Sequence, residues 1–381
     1  AASVVLLVSA GLLIRAMLRV QATDPGFQAE RVLTLRTVLP KPKYTSTGRR
    51  EQFYNAVLSE VRRLPGVRSA AYTSGVPMVM WGGIAQVGLP GQEVRRDGNY
   101  NVSRRYVTPQ FFSALGIAFI SGRDLEDRDA ADRRKVAVVS ESFVRRYWPE
   151  TDPLGKGFMF NDSLITVIGV VRDIKFRGLE RNSEPQMYLP TSRVPEGVLT
   201  FYDPKDLVIR TSGPPMAVLP AVRAIIRQAD PDQPISDVMT LTDVLALQTA
   251  PRAAQARVLI ALAGVALLLA GLGIYGLLAY NVAQQRREIG VRLALGAEPA
   301  RIARGIVWNG LSIVLLGMIP GLLLAFAAGR SMNALLFGVQ PADPATMAAT
   351  VGLCIGIGLA GALVPALRAV RVSPMSTLRA E

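Results

Sequence analysis

The feature that most limits what this chain can become is the run VLIALAGVALLLAGLGIYGLLAYNVA, Val258 to Ala283, which holds no charged residue. At about 1.5 Å of rise per residue it is long enough to cross a bilayer as one helix. The next stretch is QQRREIGVRLALGAEPARIAR, in which Arg286, Arg287, Arg292, Arg301 and Arg304 outweigh Glu288 and Glu298. A basic flank of this kind belongs on the cytoplasmic side.

Further apolar runs cover about 305–329, with Gly317 and Gly321 flanking Pro320, and about 345–367. They are joined by the nearly neutral SMNALLFGVQPADP, as an outer loop should be, and followed by the tail arginines Arg368, Arg371 and Arg379. Residues 1–14, AASVVLLVSAGLLI, are apolar but short, and the chain does not begin with Met. They read as the end of a truncated first span continued by a stalk through Arg15, Met17, Leu18 and Val20. The competing reading is the end of a signal peptide with small residues at Val8-Ser9-Ala10. With the arginine-rich loop and tail inside, the region between the first two spans lies outside, since long domains cross largely regardless of charge.

Composition agrees. The chain is 50% hydrophobic and 19% charged, with a mean hydropathy of +0.28, a balance that fits apolar residues concentrated in spans. The net charge of +14 is spread without a Lys/Arg block or interleaved aromatics, which argues against nucleic acid as a partner. There is no histidine, which removes His-based acid/base chemistry, Ser-His triads and His-ligated metals. Cys354 is the only cysteine and lies in an apolar run, so it reads as a packing residue.

Between the spans the pattern is α+β. RVLTLRTVL, Arg31 to Leu39, alternates as a strand; Tyr44 to Leu64 has Phe53, Val57, Leu58 and Val61 on one helical face; Val67 to Thr73 is a strand after Pro65-Gly66. The same grammar returns at Asp206 to Arg210, Met216 to Ala229 and Ile235 to Met239. Two such βαβ units predict a split ferredoxin-like layer carrying an inserted β-rich subdomain at about 75–205. Strands are expected in the insertion at Lys135 to Val139, Ile165 to Val171 and Gln186 to Leu189, with helices near Pro109 to Leu115 and Glu141 to Tyr147. Leu241 to Arg257 reads as a helix feeding the second span.

No chemistry-bearing motif survives inspection. DPLGKGF around Lys156 lacks the glycine spacing and the Ser or Thr of a phosphate-binding loop. Asp124, Glu126, Asp127, Asp129 and Asp132 are interleaved with Arg123, Arg128, Arg133 and Arg134 and read as a solvated loop rather than a calcium site. Ser74, Ser140 and Ser142 have no partner base. The chain is therefore not expected to be an enzyme, and no catalytic, cofactor-binding or metal residue is assigned. The read spans hold no acid or base, which disfavours an ion pathway. Their glycines, Gly264, Gly271, Gly273, Gly276, Gly352, Gly356 and Gly361, allow close helix approach, within one chain or between chains.

The segment after the second span is read from periodicity as a short basic amphipathic helix, about 285–297, with Ile289, Leu293 and Leu295 to Ala297 roughly on one side. Taken alone, this describes a helix lying on anionic lipid. However, QRREIGVRLALGA following GIYGLLAYNVAQ resembles the signature of FtsX-like permeases, the MacB-type mechanotransmission ABC transporters. The resemblance extends over nearly the whole chain through DPGF at Asp24, FFSALGI at Phe111, SGRDLEDRD at Ser121, RRYWPETDPLGK at Arg145 and PQMYLP at Pro185. It implies that Arg286, Arg287, Glu288, Ile289, Gly290, Arg292, Ala294, Leu295, Gly296 and Ala297 form the element that docks on a separate cytoplasmic ABC ATPase, which would bind ATP and Mg.

It further implies a multi-pass inner-membrane protein. Residues 1–23 would be the truncated first helix and stalk. Residues 24–240 would be a MacB-like periplasmic core domain, of which 24–74 and 206–240 are the ferredoxin-like part. Residues 241–257 would be a second stalk, and 258–381 an FtsX-like permease domain. Expected partners are the ATPase, a second permease unit in the same longer chain or a homodimer, membrane lipid, and a periplasmic adaptor or hydrolase. The resemblance is strongest to duplicated orphan permeases, of which this would be the second unit. The implied function is mechanical transmission for efflux or export; the alternative is a non-transporting module that activates or senses a periplasmic partner such as a cell-wall hydrolase.

Overall fold

The computed structural model describes residues 2–40, 43–79, 83–91, 101–194, 203–285, 288–289, 291–292, 295, 297–331, 340 and 343–370. The chain divides into two compact units, Thr23–Gln248 and the pair Ala1–Ala22 with Thr249–Glu381.

The elements in chain order are α1 (Ala2–Gln21), β1 (Val32–Thr37), α2 (Thr47–Val61), β2 (Val67–Thr73), β3 (Gly83–Gln86), β4 (Asn101–Val107), α3 (Phe111–Leu115), β5 (Phe119–Gly122), α4 (Asp127–Ala131), β6 (Val136–Ser140), α5 (Glu141–Tyr147), β7 (Gly157–Phe160), β8 (Ser163–Val171), β9 (Gln186–Pro190), β10 (Asp206–Thr211), α6 (Leu219–Ala229), β11 (Ile235–Thr240) and α7 (Leu241–Gln284). Two further helices, Pro299–Ser331 and Pro344–Val370, complete the chain.

In the α+β unit the strands run β11-β1-β10-β2-β4-β9-β6-β8-β5, with β3 added to β4 and β7 to β8. The first four are the ferredoxin-like layer that the paired βαβ pattern predicts. β1 is antiparallel to β10, with Val32 opposite Arg210 and Arg36 opposite Asp206, and to β11; β10 is antiparallel to β2. Leu33, Leu35, Tyr72, Leu207 and Ile209 on the strands meet Phe53, Tyr54 and Val57 of α2 and Val222 and Ile226 of α6 in one core. The sheet's other face is covered in part by α3, which packs on β2 and β10. Arg210 there donates from Nε to the Ala114 carbonyl at 2.9 Å, a cation placed where the carbonyls of a helix end need one.

The sheet passes from this layer into the inserted part where β2 meets β4, with Thr73 opposite Val107. Beyond it β4 and β9 are parallel, β9 and β6 antiparallel, and β6 and β8 parallel. Its core holds Val102, Tyr106, Val139, Phe143, Phe158, Val167 and Leu189. The insertion contains four strands more than its sequence predicts: β3, β4, β5 and β7. The reason is clearest in β4, NVSRRYV, whose consecutive Ser103, Arg104 and Arg105 break an apolar alternation. Arg105 is nevertheless fully buried, its guanidinium 3.4 Å from the centre of the Phe176 ring.

The motifs quoted from the sequence turn, cap or tie the backbone. In DPGF, Asp24 Oδ1 accepts from the Gly26 amide at 2.8 Å and Gly26 has φ +79°, where an added Cβ would stand 2.3 Å from the Asp173 carbonyl oxygen. In SGRDLEDRD the charges are not a solvated loop: Asp129 is fully buried and bound to Arg123 at 2.6 and 3.0 Å. It also accepts from the Glu126 amide at 2.9 Å, half of a capping box that starts α4. Ser140 and Ser74, weighed above as nucleophiles, serve the backbone instead. Ser140 Oγ caps α5 at Phe143 N, 3.4 Å, and also accepts from Gln186 N at 2.9 Å; Ser74 Oγ accepts from Tyr106 N at 3.0 Å.

In the other unit, among the described residues, four helices are long and apolar enough to span a membrane: Ala2–Gln21, Ala253–Gln284, Pro299–Arg330 and Pro344–Arg368. The first is one continuous helix of 20 residues, so the apolar run and the stalk of the reading above belong to a single element. Val8, Leu12 and Ala16 of the first span, Leu267 of the second, Met318 and Ala325 of the third and Cys354 of the fourth form a core. Large apolar side chains point away from it, among them Leu268 at 70% and Leu316 at 72% exposed, as lipid-facing helices require. Of the glycines, Gly361 lets the fourth span approach the second closely, with a virtual Cβ 3.1 Å from the Gly271 carbonyl oxygen.

Arg15, an outer-side arginine against the usual charge bias, has a partner. It pairs with Asp343, which precedes the fourth span. Asp343 Oδ2 also accepts from the Thr346 hydroxyl at 2.7 Å and amide at 2.8 Å, so it caps that helix. The Thr346 hydroxyl first, then its amide and Arg15, hold the Asp343 carboxyl below the usual carboxylate range.

Candidate coupling site at the second-to-third span connection

Of the ten residues assigned to coupling, Glu288, Ile289, Arg292, Leu295 and Ala297 are described. Arg286, Arg287, Gly290, Ala294 and Gly296 lie outside the described residues, as does Leu293.

Among the described residues, helix-type hydrogen bonds recur after the second span. Ile289 N donates to Gln285 O at 2.9 Å, Leu295 N to Val291 O at 3.0 Å, and Ala297 N to Arg292 O at 2.9 Å. The 295 turn ends them before Pro299 begins the third span. Glu288 and Arg292, one turn apart, are ion-paired and exposed; an exposed pair of this spacing steadies a helix by only about 0.3–0.5 kcal/mol.

Ile289 is the anchor. It is buried against Val282 at the end of the second span, with Ile302 and Ile306 of the third packed on the same cluster. The connection is thus packed on both flanking helices through one side chain. Leu295 does not share this face: it is 83% exposed, and Val291 is 47% exposed. The single apolar face read from the sequence therefore divides into a buried anchor and exposed apolar positions. Arg301 and Arg304 are exposed on the adjoining turn of the third span. Val291 and Leu295 share this stretch with the exposed charges Glu288, Arg292, Arg301 and Arg304, a surface that a protein carrying complementary charge can cover.

The periodicity reading missed the exposure of Val291 and Leu295. The signal was present, because β-branched Val291 and Leu295 are four apart and so neighbours on a helix, on a side distinct from Ile289.

Comparison with known proteins agrees with this architecture. Residues 1–238 match the MacB-like periplasmic core domain, and residues 260–374 match the FtsX-like permease C-terminal family. Among curated proteins, the chain is 27% identical over 296 residues to the macrolide export ATP-binding/permease protein MacB of Hahella chejuensis, covering 76% of this chain and 45% of that one. It is 22% identical over 262 residues to the uncharacterized ABC transporter permease YknZ of Bacillus subtilis, covering 68% and 66%. The chain spans about half the length of the MacB relatives it matches. Among solved structures, the periplasmic region of MacB from Actinobacillus actinomycetemcomitans aligns with a TM-score of 0.41 at 16% identity, over 59% of this chain and 95% of that one.

Four membrane-capable helices beside a periplasmic-type core domain make this a multi-pass inner-membrane protein whose α+β unit is extracytoplasmic. With over half its length in one family match and most of the remainder in the other, the chain belongs to the MacB/FtsX-like ABC transporter permeases.

Proposed function

We propose that this permease transmits ATP-driven motion of a separate cytoplasmic ATPase to its extracytoplasmic unit through the 285–297 connection, and that the motion serves export. The observation that carries the reading is the division of labour in the connection: Ile289 is buried with residues of both flanking spans, while Val291 and Leu295 are left exposed. An ATPase surface gripping the exposed pair would pull directly on the second and third spans. The second span is continuous with the helix that begins at Leu241, which supports passage of the displacement toward the extracytoplasmic unit. ATP and Mg would be bound by the partner. Export is supported by the function printed in the name of the Hahella chejuensis relative; an amphiphile, peptide or lipoprotein cargo suits the later spans, whose runs 258–283, 305–329 and 345–367 hold no acid or base.

The test is stimulation of the partner ATPase in proteoliposomes. Leu295→Asp, and separately Glu288→Lys with Gly290→Pro, should abolish stimulation while membrane insertion is unchanged. Normal stimulation together with normal pull-down of the ATPase would overturn the coupling role. Intact coupling with no export of any cargo would move the reading to a module that regulates a periplasmic partner.

A further inference from the structure

The membrane unit holds an open groove of about 360 Å³ between its first, second and fourth spans. Leu7, Gly11 and Ile14 of the first span, spaced by four and three residues, form a stripe along one wall. Ala349 and Leu353, four apart, form a stripe on the fourth span, and Ala263 comes from the second. Gly11 lets the first and fourth spans approach closely here, since a Cβ on it would stand 2.6 Å from Thr346 Cγ2.

The groove is about one leaflet deep. Arg15 lines its outer end, and Leu7 lies eight residues, or about 12 Å along the helix, below it. Half of a bilayer's hydrocarbon core is about 15 Å thick. Beneath Leu7 the walls meet: Ser3 Oγ donates to the Ala266 carbonyl at 3.3 Å, joining the first span to the second, and Val4, Val8 and Leu267 pack in the unit's core. A neighbouring helix would cross about 30 Å of hydrocarbon, more than twice the groove's length, so the fit is to a chain confined to the outer leaflet.

The chemistry of the lining selects the same occupant. Its two hydroxyls are already spent, Thr346 donating to Asp343 Oδ2 at 2.7 Å and Thr350 to the Thr346 carbonyl at 2.9 Å. Arg15 apart, no other lining side chain is polar. An extended peptide, whose amides need partners inside a membrane, would find none there, whereas a hydrocarbon chain needs none. At the mouth the Arg15 side chain is 46% exposed, and its bond to Asp343 Oδ1 uses only Nη1. The remaining N–H groups of the guanidinium fork suit a phosphate, and the Asp343 carboxylate beside it suits a cation. A headgroup carrying one phosphate and one ammonium meets both.

We infer that this groove holds one acyl chain of an outer-leaflet phospholipid with an ethanolamine headgroup, its phosphate on Arg15 and its ammonium toward Asp343. The site is independent of the 285–297 connection, and its test does not read ATP turnover. The full chain in detergent receives an equimolar amount of phosphatidylethanolamine carrying a diazirine on one acyl chain, is irradiated, and the adducts are located by mass spectrometry. Adducts should concentrate on residues 7–14, 260–263 and 345–353. Ala349→Trp, which fills the groove from an exposed position, and separately Arg15→Gln should each lower the yield at least tenfold. Leu262→Trp, an exposed position of the second span outside the lining, should leave it unchanged. Unlabelled phosphatidylethanolamine should displace the probe, phosphatidylglycerol with the same chains should do so more weakly, and the matching diacylglycerol, which lacks the phosphate, should not. Adducts spread evenly over the lipid-facing helices, a yield indifferent to Ala349→Trp, or equal displacement by diacylglycerol or phosphatidylglycerol would overturn the assignment. So would disulfide-linked dimers of Ala349→Cys in a Cys354→Ser background, which would give this face to a second copy.

Discussion

Arg123 holds Asp129 with two hydrogen bonds, Nη1 to Oδ2 at 2.6 Å and Nη2 to Oδ1 at 3.0 Å, although the two residues are only six apart in a stretch dense in charge. Asp129 is fully buried and Arg123 a third exposed, so the pair seals the base of α4 rather than decorating it. Burial alone would raise the Asp129 pKa; the Arg123 hydrogen bonds, the Glu126 amide and the charge of Arg123 overcome it and hold the carboxyl below its usual range.

Asp129→Ala leaves a buried guanidinium edge and the Glu126 amide without an acceptor. The expected loss is about 2–4 kcal/mol, below the largest values for buried pairs because Arg123 reaches solvent. Urea denaturation followed by Trp148 fluorescence should show it, and Arg123→Met with Asp129→Leu should recover most of the loss.

Asp124, five residues earlier, behaves oppositely. Burial pushes its carboxyl up to about 6 against the hydrogen bonds from Leu125 and Gln110. The folded state therefore takes up this proton more readily than the unfolded chain, whose carboxyl titrates near 3.8. Its contribution is fully present below about pH 4 and lost as pH rises through about 6. The melting temperature of wild type relative to Asp124→Asn should fall between pH 4 and pH 7; a constant difference across that range would contradict the assignment.

Gly26 has φ +79° and Gly122 φ +76°, and at both a Cβ would stand 2.3 Å from a carbonyl oxygen, of Asp173 and Ile168 respectively. Both the backbone strain and the clash fall on main-chain atoms, so Ala at either position should destabilise the α+β unit by more than about 1 kcal/mol. Gly91, with φ +79° and no atom of the described residues within 4 Å of an added Cβ, should show only the strain. Thermal melts of the three Ala variants give the ranking.

Arg105 tests the value of a buried charge. Burial draws its guanidinium down to about 9, and only Nη1 has a bond, to Arg104 O at 2.6 Å, while Nε and Nη2 have none among the described residues. Arg105→Met, which keeps an apolar stem over Phe176, should be neutral or stabilising. Arg105→Ala, which opens a cavity there, should lose about 2–4 kcal/mol.

A cysteine at Ser163 should react with an impermeant maleimide from outside, and one at Glu298 only after permeabilisation, in a Cys354→Ser background. Labelling of both from the same side would contradict the membrane topology.

Much of this protein was set by local sequence. The uncharged run 258–283 allows little except a membrane helix, because an unpaired backbone in lipid is prohibitive. The repeated strand, helix, strand order fixed the ferredoxin-like layer, because its apolar residues recur with the periods of those elements. Ser140 and Gly26 act within a few residues of themselves and were readable as punctuation. What tertiary structure decided is whatever depends on a distant partner. Arg105 reads as surface, and its strand was missed, until Phe176 arrives from seventy-one residues away to cover it. Arg15 reads as an exception to a charge rule until Asp343 is brought beside it. Ile289 and Leu295 read as one apolar face until Ile302 and Ile306 bury the first and leave the second exposed. The groove between the first, second and fourth spans exists only because segments more than two hundred residues apart close upon it. Periodicity records which face a residue takes on its own element; burial and pairing are set by the other element that meets it.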